Sequence, residues 1–165
     1  MKLFRVRSLT AKFFTVGFLV LGSTMAHADG AGIAALNNAK WKEECGSCHI
    51  AYPPQLLTRN AWQQMMAGLD QHFGANAALD AADNKAILDF LQRHAGSGSK
   101  YSASSLRIGD TSWFKREHHD VADSAWADPA IKSRANCSAC HINAERGDWS
   151  EDGIKMPGGK KYDKD

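Results

Sequence analysis

Apolar residues recur along this chain at helical intervals, and nowhere do they alternate strongly enough to mark a strand. Trp62, Met65, Met66, Leu69 and Phe73 predict an amphipathic helix over 60–72, with Asn60 as its N-cap and Gly74 as its stop. Ile87, Leu88 and Leu91 give the inner face of a second helix over 81–94, capped by Asp80 and ended by Gly96. A third is predicted over 113–126, and Asp128-Pro129 should open a short helix towards residue 137. Pro53-Pro54 breaks the chain into an extended turn. The expected fold class is mostly α, with few or no strands.

One apolar stretch differs in kind. Phe13 to Gly22 is continuous, follows the basic residues Lys2, Arg5, Arg7 and Lys12, and precedes Ala26-His27-Ala28. This is the layout of an export signal cleaved after Ala28. The apolar run is too short for a bilayer span, so the processed chain is not expected to cross a membrane. Its removal leaves 137 of the 165 residues, and takes four of the 20 basic residues but none of the 18 acidic ones. The formal charge then changes from +2 to −2, which gives no footing for nucleic acid. Composition breaks once more at Gly96-Ser97-Gly98-Ser99-Lys100. The organisation expected is a leader (1–28), a first half (29–95), a linker (96–105), a second half (106–157) and a flexible tail (158–165).

The four cysteines carry the chemistry. All lie in Cys45-Gly46-Ser47-Cys48-His49 and Cys137-Ser138-Ala139-Cys140-His141. C-x-x-C-H is the attachment pattern of a c-type haem: two thiols add to two porphyrin vinyls, and the next imidazole, His49 or His141, becomes an iron ligand. A four-thiolate zinc site or a pair of disulfides would use the cysteines but leaves the paired histidines unexplained. Two haem c groups in two haem-binding halves follow, in a small c-type cytochrome. Haem attachment outside the inner membrane agrees with the leader and with a periplasmic location.

Each iron needs a sixth ligand or an open position. The free histidines of the processed chain are His72, His94, His118 and His119, and its methionines are Met65, Met66 and Met156. Periodicity does not separate His72 from His94, since each follows a leucine by three at the end of a helix. For the second haem, a continuous helix over 113–126 would give His118 an apolar face with Phe114, Val121, Ala122 and Ala125. His119 would lie beside Lys115, Arg116 and Asp123, so helical phase favours His118. Trp41, four residues before Cys45, should pack on the first haem. A carbonyl in the turn after His49 can accept its second ring N–H and fix its tautomer. Asp148, Ser150, Asp152 and Gly153 begin like a calcium loop, but Gly159 stands where a bidentate glutamate belongs, so a solvated acidic turn is expected.

Trp41, the first haem motif, Ala51-Tyr52-Pro53-Pro54 and Asp70-Gln71-His72-Phe73-Gly74 resemble the dihaem cytochrome c (DHC) family. So do Trp113-Phe114-Lys115-Arg116-Glu117-His118, Asn136 with the second motif, and Ala144-Glu145-Arg146-Gly147-Asp148. Lys155-Met156-Pro157 departs from the pattern. The resemblance implies two bis-histidine haems with His72 and His118 as distal ligands, in a periplasmic electron carrier rather than an enzyme. It also implies redox-protein partners, among them a small oxygen-binding high-spin cytochrome c or a membrane cytochrome. The competing classes are a dihaem peroxidase-like enzyme, a haem protein with one labile distal site, and a zinc-binding module.

Overall fold

The computed structural model describes residues 33–156 and residue 158. The predicted leader, and the tail apart from Gly158, lie outside the described residues. Helix α1 (Ala39–Cys45) starts where Asn38 Oδ1 accepts from the Trp41 amide at 2.9 Å. It ends at Gly46, whose amide donates to Lys42 O at 3.0 Å. A Cβ at residue 46 would stand 2.2 Å from that same oxygen, so only glycine fits between the two cysteines' first turn and the helix end. Trp41 points inward and meets the Phe90 ring at 5.2 Å.

Helix α2 (Arg59–Ala67) is shorter than the periodicity predicts, and its cap is Thr58 rather than Asn60. Thr58 Oγ1 accepts from the Ala61 amide at 3.3 Å. Gly68 ends the helix, and the chain goes on as a 3-10 turn, Leu69–Gln71. Glycine's low helix propensity stops α2 before the apolar spacing does, which places His72 on a loop and leaves Phe73 46% exposed. Helix α3 (Ala81–Arg93) is capped by Asp80 as expected, Oδ1 accepting from Ala82 and Asp83 amides at 2.9 Å. Those N–H groups hold the Asp80 carboxyl below the usual carboxylate range. Facing sides of α2 and α3, with Trp41 and Leu57, form one core of Ala61, Trp62, Met66, Ile87, Phe90 and Leu91. Phe90 supplies the inner-face position that the sequence reading gave to the half-buried Leu88.

The stretch 96–105 contacts the chain on both sides of it. Gly96 N donates to Leu57 O at 2.9 Å, and Thr58 N donates to Tyr101 O at 3.3 Å. The Tyr101 ring meets Trp113 at 5.7 Å.

The expected helix over 113–126 is instead two pieces, α4 (Ser112–Glu117) and α5 (Asp123–Trp126). The Arg116 carbonyl, which would accept from the Asp120 amide if α4 continued, is taken by a side chain. His118 donates its Nδ1–H to Phe114 O at 2.9 Å, and His119 donates its own to Arg116 O at 2.8 Å. Such local bonds compete with the helical ladder. No helix follows Asp128-Pro129 either. Asp128 closes a turn through the Ala130 and Ile131 amides, and only a 3-10 turn, Cys137–Ala139, carries the second motif. Among the described residues the structure is helical and strandless, with isolated bridges Thr58–Gly96, His72–Ala75 and His141–Ile154. None of the described helices is long and apolar enough to cross a membrane.

Candidate haem sites

The first motif hangs from the C-terminus of α1, which supplies Cys45. Cys48 and His49 follow in an exposed turn. The His49 ring is fixed twice: it stacks on Tyr52 (4.6 Å between centroids, 25° between planes), and its Nδ1–H donates to Ile50 O at 2.8 Å. The second contact is the carbonyl anchor expected of the proline turn, and it leaves Nε2 as the free lone pair. His72 comes in from the loop after α2, its ring centroid 6.1 Å from that of His49 and its plane inclined by 34°. Its Nδ1 is buried without a partner, and burial, with the neighbouring His49 and Arg107, holds its pKa below the usual imidazole range. His94 stays exposed at the end of α3, its ring against Phe90 at 5.0 Å. The fold therefore brings His72, and not His94, to the first motif.

The second site repeats the pairing with different supports. The His141 amide donates to Cys137 O at 2.8 Å, and Lys155 N donates to Cys140 O at 2.9 Å, which holds the motif against the segment 153–155. His118, at the end of α4, lies 6.0 Å from His141, ring to ring, with the planes at 77°. It stacks on Phe114 at 4.0 Å. His119 instead faces solvent, its Nε2 3.0 Å from Asp120 Oδ1. A cavity lined by Ile108, Phe114, Trp126, Cys137, Cys140 and His141 surrounds the pair. Met156 also lines it, whereas Met65 and Met66 pack on the α2–α3 core.

Ring centroids about 6 Å apart suit two imidazoles on opposite sides of one metal ion, with metal–nitrogen bonds of about 2 Å. Both pairs meet that test, and in each pair one ring is anchored through Nδ1 while the other has its Nδ1 buried and unpartnered. No disulfide joins any of the four cysteines. Burial pushes the thiols of Cys45 and Cys137 up to about 11, so both sulfurs sit in apolar surroundings of the kind a porphyrin edge would share. Burial, with His118 nearby, pushes His141 down to about 4. Among the described residues no cluster of His, Cys, Asp or Glu is arranged to hold a bare metal ion. Asp148 accepts from the Ser150 amide and from Asn143 Nδ2, closing its acidic turn on itself. Two contacts lay beyond sequence reasoning: Arg107 over the Phe73 ring at 4.1 Å, and the Tyr52 stack. Tyr52 stands three residues after His49, but spacing alone does not say which way a loop side chain turns.

The dihaem cytochrome c family model matches residues 41–149 of this chain. The chain is similar to a diheme cytochrome c from Shewanella baltica OS155, at 36% identity and a TM-score of 0.67, covering 76% of this chain and 98% of that one. It is also similar to DHC purified from Rhodobacter sphaeroides, at 37% identity and a TM-score of 0.61, covering 69% and 98%. No curated protein matches it. The chain belongs to the dihaem cytochrome c family, and its cofactors are two haem c groups.

Proposed function

We propose that this protein is a periplasmic electron carrier whose two haems are each held by two thioethers and two imidazoles. Cys45, Cys48, His49 and His72 serve the first haem, and Cys137, Cys140, His141 and His118 serve the second. The observation that carries this reading is the double pairing: each motif histidine meets one other histidine at about 6 Å, supplied by a different segment. Bound haem c supplies an iron that cycles between ferric and ferrous states. The chain's part would be to hold each iron with two imidazoles, fix ring orientation through carbonyls, and exclude water with Phe114 and Trp126 at the second site. Two filled positions leave no site for a substrate, which favours a carrier over a peroxidase-like enzyme. The partners are other redox proteins, such as a small oxygen-binding high-spin cytochrome c or a membrane cytochrome.

A haem-stained gel and a pyridine haemochrome assay on the processed protein should give two covalent haems per chain, and the ferric spectrum should be wholly low-spin. His118→Ala should make one haem high-spin while His119→Ala changes nothing. His72→Ala should do the same to the other haem, with His94→Ala silent. A high-spin haem in the unaltered protein, or a spectral change from His94→Ala or His119→Ala alone, would refute the ligand assignment.

A further inference from the structure

Tyr52 ligates nothing, yet it touches both sites. Its ring stacks on His49 at 4.6 Å. Its hydroxyl donates to Ala135 O at 2.5 Å, across 83 residues of sequence. Ala135 stands two residues before Cys137, where the second haem is attached. The stem of Tyr52 is rigid: Pro53 and Pro54 follow it, both buried, and Pro54 O accepts from Trp62 Nε1 at 2.7 Å inside the first core.

We infer that Tyr52 is a positioning residue for electron exchange between the two haems, fixing the ring plane of His49 by stacking and tying the Cys137 segment to it through its hydroxyl. The inference rests on the ligation by His49 and the attachment at Cys137 proposed above. With haem c held at both motifs, an exchange would oxidise one ferrous iron and reduce one ferric iron, with no other reactant needed. No bond would break and no proton would move, so the contribution of Tyr52 is geometric: it ties the two sites together and fixes the orientation of the His49 ring.

The test uses the holoprotein with both haems attached, comparing Tyr52→Phe and Tyr52→Leu with the unaltered chain. Nuclear magnetic resonance of partly reduced samples follows the haem methyl signals and gives the rate of intramolecular exchange. Electron paramagnetic resonance of the ferric state reports the ligand planes at each iron. Tyr52→Phe, which keeps the ring and loses the hydroxyl, should slow exchange severalfold and preserve the first haem's signal. Tyr52→Leu should slow it as well and also change the g-anisotropy of the first haem. Exchange at the unaltered rate in both variants would overturn the inference, as would a first-haem signal unchanged by Tyr52→Leu. Failure of the ligation reading shows separately, as a high-spin signal in the unaltered protein before any variant is made.

Discussion

Of the four imidazoles that meet in pairs, His49 and His118 donate Nδ1–H to a carbonyl, whereas His72 and His141 keep a buried Nδ1 without a partner. The pairs differ in orientation, with ring planes at 34° in the first and 77° in the second. Nearly parallel planes split the two iron d orbitals that lie along them, whereas nearly perpendicular planes leave those orbitals close in energy. The ferric protein should therefore show two low-spin paramagnetic signals, an ordinary rhombic one from the first haem and a much more anisotropic one from the second. Two identical rhombic signals would contradict the geometry. The depressed pKa of His141 adds a pH dependence. An unfolded chain takes up its proton near the ordinary imidazole value, while the folded site refuses it until about 4. The folded state thus binds fewer protons between these values, so stability is full above about 6.5 and falls as pH drops towards 4. The proposed iron ligation of the same ring would act in the same direction. Thermal melts followed by haem absorbance should show a lower midpoint at pH 5 than at pH 7.

At the scale of elements, helical periodicity located α2 and α3 and the Asp80 cap, because both helices bury a full apolar stripe against each other. It failed where a few side-chain hydrogen bonds decide the path. Residues 113–126 have helical spacing, yet the chain leaves the helix at His118, where the His119 imidazole takes the Arg116 carbonyl. His118, and not His119, still meets His141 after that break, because Phe114, one turn earlier, lies on its face, while Val121, Ala122 and Ala125 belong to the next segment. His72 was singled out by resemblance and not by pattern, since the apolar spacing runs on through Leu69 and Phe73 past the helix end at Gly68 and gave His94 the same standing. The element that aims His118 also has a sensitive point at its start. Thr111 is fully buried, accepts from the Phe114 amide at 3.1 Å and donates to Ile108 O at 2.8 Å. Thr111→Ala should lower stability by about 1–2 kcal/mol, the usual cost of an N-cap. It should also loosen His118, so denaturant melts should lose the low-spin signal of the second haem before that of the first.

Across the whole molecule the two sites differ most in how far the protein shields them. Cys48 and His49 are exposed, and the first pair is completed by a loop bearing the exposed Phe73. Cys137, Cys140, His118 and His141 are all half-buried, beside Phe114, Trp126 and Trp149. Each site has one Nδ1–carbonyl anchor, and at each burial, with an arginine nearby (Arg107 at the first, Arg134 at the second), holds His72 or His118 below the usual imidazole range. Burial then decides. Moving a charged centre away from water disfavours the state with the greater charge, and ferric haem carries one positive charge more than ferrous. The second haem should therefore have the higher potential and be reduced first. The two paramagnetic signals make the order visible without separating the optical bands. In a stepwise reductive titration the anisotropic signal, from the pair at 77°, should disappear before the rhombic one. Loss of the rhombic signal first would mean that charge or hydrogen bonding at the exposed site outweighs the shielding of the buried one.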